Sequence, residues 1–212
     1  MKERGMIFNG EMVRALLDGR KTQTRRIVKG TDGAVKFCKE WNINGEEVFV
    51  VLGEKDHTGM NPVLGAISCP FGAVGDRIWV REAFRVHSRA TDIATLVYKA
   101  SERNSWTEQT HRVPVAVCNK PATPEKWTPS LHMPRWASRI LLEITDVRVE
   151  RLKSISDGDA IREGCSTADM KSGDCVADVF ARLWASIYGA ESWNANPWVW
   201  VIEFKRVEGG AA

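Results

Sequence analysis

Long apolar runs are absent from this sequence. No window approaches the roughly 18 consecutive apolar residues that a membrane-spanning helix requires. The first residues, Met1–Gly5, also lack the apolar stretch of a secretory signal peptide. We therefore expect a cytoplasmic protein that has no membrane partner.

Paired cysteines and the common catalytic motifs are absent as well. The five cysteines form no Cys-x-x-Cys pair, which argues against a disulfide framework and against a zinc site. The sequence has no phosphate-binding Gly-Lys-Ser/Thr loop, no His-Glu-x-x-His and no Gly-x-Ser-x-Gly. We interpret Asp157 and Asp159 as charges that the dipole of a predicted helix favours at its start, rather than as metal ligands. The sequence thus predicts neither a metal nor a cofactor.

The composition is that of an ordinary globular protein. The chain has 212 residues, of which 43% are hydrophobic, enough to bury a sizeable core in one domain or in two small ones. Its net charge of +3 is only mildly basic, so the total charge permits a nucleic-acid partner without indicating one. The distribution of the charges is therefore more informative than their sum.

Periodic patterns along the chain predict both helices and strands. Asn9 is placed to cap a helix over residues 11–18, and Gly19 stands where a C-terminal cap belongs. Further helices are expected after Ser156 and Asp174. Strands are predicted over residues 48–52, 77–84, 95–99, 139–149 and 198–204. Because dissimilar helices and long loops separate these strands, we predict an α+β fold with a mixed sheet or barrel.

The densest group of cations follows the first predicted helix. Five cations stand within ten residues, namely Arg20, Lys21, Arg25, Arg26 and Lys29. The positions between them add two hydroxyls and an amide, from Thr22, Thr24 and Gln23. A solvated surface is the ordinary explanation of such a run. A ligand site is the alternative, since it would use the hydroxyls and the amide together with the charges.

A second charged feature is the predicted strand over residues 77–84, which has one charged face. We expect Arg81 and Glu82 to lie close to the cationic segment. Glu82 would then pair with Arg20 or Arg26 and orient them for a ligand. A strand pair that faces solvent is the alternative.

Tryptophan is unusually frequent, with nine residues in the chain. Most of them should be packing residues, because a tryptophan buries a large area whatever the function. One or two could stack on a nucleic-acid base. Trp127 and Trp136 flank a proline-rich loop and are better placed for this than Trp200, which lies in an apolar strand.

The segment Gly19–Arg26 resembles the Gly-Arg-Lys-Thr element of ASCH-domain proteins. Over eight positions it is similar to that of the small bacterial N4-acetylcytidine amidohydrolases of this class. Three further segments resemble ASCH proteins in the same order along the chain: Gly75-Asp76 before a strand, Ala160–Gly164, and Val201–Phe204 at the end of the last strand. The whole chain looks like a longer subgroup that is often found in phages and prophages.

This resemblance implies an α+β fold of the PUA-like (ASCH) kind, a mixed β-barrel with peripheral helices. It implies a single domain over residues 1–208 with a flexible tail at 209–212. Compared with the small enzymes, the chain has two long insertions, at about residues 30–75 and 85–137.

For amide hydrolysis, the resemblance implies catalytic roles for Lys21, Thr24 and Glu163. Thr24 would attack the acyl group, Lys21 would lower or accept its proton, and Glu163 would act as acid and base. The three side chains are expected to converge on one cleft at the mouth of the barrel. The residues expected to bind the ligand or nucleic acid are Arg20, Thr22, Gln23, Arg25, Arg26, Arg81 and Glu82.

The substrate stays open because of the insertions and because Arg25 replaces an apolar residue of the similar segment. RNA or a modified nucleoside is the predicted partner. A non-catalytic RNA-binding module and a ribonuclease are alternatives within the same fold. In the simplest alternative, Lys21 and Arg26 bind phosphate and Glu163 is a surface charge at a helix end.

Overall fold

The computed structural model of the protein describes residues 1–207. The helices in this range are α1 (Gly10–Leu17), α2 (Trp106–Gln109), α3 (Asp157–Arg162), α4 (Val176–Tyr188) and α5 (Ala190–Asn194). The strands are β1 (Glu3–Ile7), β2 (Gln23–Ile27), β3 (Lys36–Trp41), β4 (Glu47–Leu52), β5 (Val63–Ile67), β6 (Arg77–Arg81), β7 (Phe84–Arg89), β8 (Ile93–Tyr98), β9 (Thr110–Pro114), β10 (Leu141–Arg151) and β11 (Trp198–Arg206). The predicted α+β class is confirmed.

The chain forms two compact units. Unit one contains Met1–Arg20, Asp76–Glu143 and, of the described C-terminal residues, 205–207, and unit two contains Lys21–Gly75 and Ile144–Phe204. The single domain with two insertions stays a prediction, and the predicted tail at 209–212 lies outside the described residues.

Unit one contains two groups of paired strands. β1 runs parallel to β6, and β6 pairs antiparallel with the first residues of β10. β7, β8 and β9 form an antiparallel sheet of their own. The core beside this second sheet is apolar and fully enclosed, and it consists of Phe84, Val86, Ala94, Leu96, Tyr98, Val113, Cys118, Met133 and Ala137.

Local sequence signals mark both ends of helix α1. The Asn9 side chain accepts a hydrogen bond from the Met12 backbone N–H at 2.8 Å, which satisfies one of the free donors at the helix start. Gly19 has a φ of +71°, a conformation that costs a glycine little. The predicted helix and both of its end signals are confirmed.

The strand predicted over residues 77–84 is two strands. β6 ends at Arg81 and β7 begins at Phe84. β6 pairs with β1 and β10, whereas β7 pairs with β8, so the chain leaves one group of strands for the other at Glu82 and Ala83. The alternation of buried and exposed residues continues through this junction, which is why the pattern alone suggested one strand.

Gly5 in β1 provides a test of this packing. A Cβ atom at this position would lie 2.5 Å from Cζ2 of Trp79 on the neighbouring strand β6. We expect Gly5→Ala to lower the free energy of unfolding by about 1–3 kcal/mol, because the indole must move out of a packed position. Chemical denaturation followed by circular dichroism measures the change.

Gly65→Ala is the matched control, since Gly65 also lies in a strand and a Cβ there would meet nothing within 4 Å. Its stability should stay within about 0.5 kcal/mol of the wild type or rise slightly. Equal effects of the two substitutions would contradict the contact between Gly5 and Trp79.

In unit two, β10, β11 and β2 are neighbours in this order, and β2 pairs antiparallel with β11. Helices α3 and α4 pack against one face of these strands. The core between them consists of Leu152, Ile155, Ala160, Cys165, Val176, Val179, Phe180, Trp184, Val199 and Val201. This face of β11 is therefore the one that carries Val199 and Val201.

The segment at residues 30–75 is more regular than its sequence suggests. Only one strand was predicted there, but β3, β4 and β5 form a three-stranded antiparallel sheet. β5 is largely exposed and has no alternation of polar and apolar residues, so it carries no periodic signal.

None of the sheets within residues 1–207 closes into a barrel. No helix between Met1 and Val207 has the length and apolarity needed to cross a membrane.

Candidate functional site

Lys21 and Glu163 form a buried ion pair in unit two. The Lys21 Nζ donates to Glu163 Oε2 at 2.7 Å and to the Glu163 carbonyl oxygen at 2.8 Å. The two side chains are 0% and 2% exposed, although the residues are 142 positions apart in the sequence. Lys21 lies just before β2 and Glu163 is the residue that follows α3. The Thr22 N–H donates to the Arg162 carbonyl at 2.8 Å between these segments. The structure thus brings two of the three predicted catalytic residues into contact.

Arg25 binds the same glutamate from β2. Its Nη1 donates to Glu163 Oε1 at 3.1 Å and its Nη2 to Asp159 Oδ2 at 3.2 Å. Nη2 also approaches Glu150 Oε2 at 3.4 Å, and the whole Arg25 side chain is buried. We refer to Lys21, Arg25, Asp159 and Glu163 as the buried ionic cluster.

Removing the charged side chains of this cluster from water costs free energy. The ion pairs and hydrogen bonds within the cluster must offset this cost. An ion pair in the interior is favourable only when its hydrogen bonds offset the loss of hydration. Burial lowers the pKa of the Lys21 ammonium group below its usual value, against the opposing effect of Glu163, and the charge of Arg26 lowers it further. Burial acts to raise the pKa of Asp159, but the guanidinium groups of Arg25 and Arg148 outweigh it and hold this pKa low.

Thr24 and Arg26 project from the other face of β2. Gln23 and Arg25 both contact Asp159, whereas alternation along the strand places Thr24 and Arg26 on the opposite side. Among residues 1–207, the hydroxyl of Thr24 is bound by Arg26 Nη1 at 2.8 Å rather than by Lys21. The predicted convergence of Lys21, Thr24 and Glu163 on one cleft is therefore wrong for Thr24, which lies on the opposite face of β2 and is fully buried. The Arg26 charge nevertheless contributes to the lowered pKa of Lys21.

Two other residues of the cationic segment, Arg20 and Thr22, are exposed, in contrast to the buried Lys21 and Arg25. Arg20 lies at the surface in unit one, where its Nη2 donates to Asp18 at 3.1 Å. Thr22 is also exposed.

The alternative in which Glu163 is a surface charge is wrong, since its side chain is buried and bound by two cations. Lys21 and Arg25 are enclosed with carboxylate partners, so they present no charge to a phosphate at the surface.

Glu82 has a different partner from the one expected. Both of its oxygens are bound by Arg139 in unit one, at 2.9 Å from Nε and 3.0 Å from Nη2, so the predicted pairing with Arg20 or Arg26 is wrong. Burial raises the pKa of Glu82 above its usual value, and Arg139 opposes this shift. The solvent-facing alternative is also wrong for Glu82, which is 2% exposed.

Arg81 binds the backbone of unit one. Its Nε donates to the Ser130 carbonyl oxygen at 3.2 Å and its Nη2 to the carbonyl of Leu131. The guanidinium also lies over the ring of Trp79, 5.4 Å from its centre. Arg81 therefore positions a loop in this structure.

Sequence reasoning missed Asp159 as a member of the cluster. Its position near the start of α3 offered a sufficient local explanation, and its carboxylate does sit in the first turn. The available signal was Arg25, which stands at an apolar position of the similar segment. A buried arginine requires a carboxylate partner, and acidic residues beside the predicted helix were the candidates.

The tryptophans with exposed rings are not the ones expected. Trp41 and Trp106 are more than half exposed. Trp127 packs against the guanidinium of Arg85, at 4.5 Å, and Trp136 packs edge-on against Phe84. Trp200 lines a cavity of about 490 Å³ in unit two but is itself almost wholly buried.

No group of three His, Cys, Asp or Glu side chains in residues 1–207 is arranged to hold a metal ion. The acidic groups of the buried ionic cluster are instead bound by arginine and lysine.

Comparisons of the chain with protein-family models, curated proteins and solved structures found no match.

Proposed function

We propose that this chain is an ASCH-type protein of PUA-like fold that hydrolyses an N-acylated nucleoside such as N4-acetylcytidine. The observation that carries the proposal is the buried contact between Lys21 Nζ and Glu163 Oε2 at 2.7 Å. The contact joins two of the segments on which the resemblance to ASCH proteins rests. A lysine and a glutamate in hydrogen-bond contact are also groups that can carry protons in amide hydrolysis.

Lys21 and Glu163 serve as the proton carriers in this proposal. Because the pKa of Lys21 is lowered by burial, its neutral amine is accessible closer to neutral pH than that of a surface lysine. For the neutral amine to accept the proton of the attacking Thr24 hydroxyl, the two groups must come to the same side of β2, whereas this structure places them on opposite faces. As the amide C–N bond breaks, the nitrogen of the nucleoside takes a proton from the pair, and water later releases the acyl group as a carboxylic acid.

Thr24 is the proposed attacking hydroxyl, with Arg26 as its bound partner. Arg26 donates to the Thr24 oxygen at 2.8 Å, and a cation in this position favours the alkoxide that forms when the hydroxyl loses its proton. The same guanidinium helps to lower the pKa of Lys21. Arg26 thus acts on both the hydroxyl and the proposed base.

Thr24→Ala should lower turnover at least about a hundredfold while ligand affinity stays nearly unchanged, because the hydroxyl acts mainly in the transition state. Mass spectrometry of the nucleoside product measures turnover, and equilibrium titration measures affinity. Thr22→Ala is the matched control, since it removes an exposed hydroxyl from the same segment. Full turnover by Thr24→Ala would assign the attack to water and remove Thr24 from the mechanism.

The non-catalytic RNA-binding alternative predicts a different result. If the cationic segment binds the backbone of RNA, Arg26→Ala should weaken RNA affinity and reduce the slope of log affinity against log salt by just under one unit. The buried position of Lys21 removes this residue from the phosphate contacts of the RNA-binding alternative, which then rests on Arg20 and Arg26. Cleavage of short RNAs without any change to the nucleosides would instead identify a ribonuclease.

A further inference from the structure

The sheet of β3, β4 and β5 in unit two has two faces in different environments. On the inner face, Phe49 packs edge-on against Trp200 with ring centres 5.0 Å apart, and Phe37 packs against Trp198 at 4.9 Å. Because side chains alternate along a strand, the residues between these positions project from the other face. We call this second face the outer face; it consists of Lys36, Cys38 and Glu40 from β3, Val48, Val50 and Leu52 from β4, and Ala66 from β5.

The centre of the outer face is apolar and accessible to solvent. Val48, Val50 and Leu52 are partly exposed although β4 is the central strand of the sheet, whereas the residues of β4 on the inner face are buried. The run Val48–Leu52 is apolar on both faces, which is typical of a strand that is covered on both sides. β4 therefore has the sequence of a doubly covered strand but is covered on its inner face only.

Strand β5 extends this apolar surface to the edge of the sheet. It is an edge strand, and Val63 and Leu64 within it are 68% and 52% exposed. Edge strands are usually protected by charged residues or by proline, and β5 contains neither. A continuous exposed apolar surface of this kind marks an interaction site.

The charges of the outer face complement one another about its centre. Of the four charged residues in the three strands, Lys39 and Glu47 pair with each other at 2.9 Å on the inner face. Lys36 and Glu40 are exposed, and neither side chain forms an ion pair within residues 1–207. They stand two positions to either side of Cys38. A second copy of the face, turned by half a revolution about an axis that passes between the faces at Cys38 and perpendicular to β3, therefore places each lysine opposite a glutamate.

We propose that the outer face binds a second copy of this chain, face to face and related by a twofold axis. The apolar residues of β4 and β5 form the centre of the interface, and Lys36 of each copy pairs with Glu40 of the other at the rim. A twofold interface must complement itself, and the symmetric placement of one cation and one anion about Cys38 meets that requirement. The interface uses no member of the buried ionic cluster, so its test is independent of the hydrolysis proposed for Lys21 and Glu163.

Sedimentation equilibrium of the full chain and of charge-reversal variants tests this proposal. We expect the wild type to dimerise, and Lys36→Glu and Glu40→Lys each to weaken the dimer by roughly tenfold or more, because each variant places two like-charged pairs across the interface. The double variant Lys36→Glu/Glu40→Lys restores both pairs in the opposite sense, so its dissociation constant should return to within about threefold of the wild-type value.

Lys171→Glu is the matched control. It changes the net charge by the same amount as Lys36→Glu, at an exposed lysine of unit two that is not part of the outer face. The control should dimerise like the wild type. A wild-type chain that sediments as a monomer at every concentration, a double variant no tighter than the single ones, or a control as weak as Lys36→Glu would each overturn the proposal.

Cys38 locates the twofold axis. The axis places the Cys38 thiols of the two copies opposite each other, and facing sheets lie about 10 Å apart, a gap that a short bismaleimide crosslinker spans. The crosslinker should join two wild-type copies but not two copies of Cys38→Ser. Cys175→Ser is the control, since it removes an exposed free thiol outside the outer face and should leave the crosslink intact. A crosslinked dimer that persists in Cys38→Ser would overturn the proposed arrangement.

Discussion

Glu163→Gln is expected to lower the turnover of an N-acylated nucleoside by roughly two to four orders of magnitude, the usual contribution of a proton-transfer group. The substitution keeps the size of the side chain, but glutamine has one acceptor oxygen, so it can accept a hydrogen bond from Lys21 or from Arg25 but not from both. It removes the ability to exchange a proton together with the negative charge that pairs with Lys21 and Arg25, so some loss of stability is expected. A stopped assay by liquid chromatography and mass spectrometry measures the rate, and a thermal melt confirms that the variant is folded.

The chain provides a closely matched control for this substitution. Glu47 is also a buried glutamate of unit two, and it is paired with Lys39 at 2.9 Å away from the buried ionic cluster. Glu47→Gln should therefore retain the wild-type rate even if it loses a similar amount of stability. Full activity of a folded Glu163→Gln would contradict the assignment of Glu163 as a proton carrier.

Arg25→Met should lower the free energy of unfolding by about 3–5 kcal/mol, the usual cost of removing one partner from a buried ionic group. The Arg25 side chain is fully buried and contacts carboxylates of Glu163, Asp159 and Glu150. Methionine fills a similar volume, so the loss reports charge pairing more than packing. Urea denaturation at neutral pH measures the effect.

The pH dependence of this loss has a definite sign. Asp159 has a lowered pKa in the folded protein, so its ion pairs stabilise the fold above its usual pKa, and this contribution is lost as pH falls through the lowered value. The difference between Arg25→Met and the wild type should therefore shrink as the pH is lowered below about 4. A difference that grows in acid would contradict the pairing of Arg25 with Asp159.

Arg148→Met is the comparison for this experiment. Arg148 also contacts Asp159 and Glu150, but its side chain is 27% exposed. Solvent screens such pairs, so we expect a loss of only about 1 kcal/mol. Losses of similar size in both variants would show that burial does not distinguish Arg25 from Arg148.

Local signals predicted the elements whose ends are encoded in neighbouring residues. Asn9 and Gly19 mark the ends of α1, and both act as the sequence indicates. Ser156 was likewise expected to begin a helix, and its hydroxyl accepts from the Asp159 N–H at the start of α3. These interactions connect residues only a few positions apart, so no knowledge of tertiary structure was needed to predict them.

Long-range contacts account for what the sequence could not predict. The strand over residues 77–84 divides because β6 and β7 pair with different strands, and no residue within the segment encodes that choice. The partner of Glu82 is Arg139, 57 positions away, which local patterning cannot select. The proximity of Lys21 and Glu163 was expected only from the resemblance to ASCH proteins, because 142 positions separate them.

The proposed hydrolysis of N-acylated nucleosides, with Lys21 and Glu163 as proton carriers, is tested most directly by one assay. Wild-type protein and Lys21→Met are incubated with a panel of modified nucleosides that includes N4-acetylcytidine and with short RNAs, and every product is identified by its mass. Lys39→Met serves as the control lysine, since it too is paired with a glutamate in unit two. We expect the wild type and the control to remove the acyl group from a nucleoside and Lys21→Met to leave it intact. A wild-type protein that changes no nucleoside in the panel, or a Lys21→Met variant as active as the control, would contradict the proposed function.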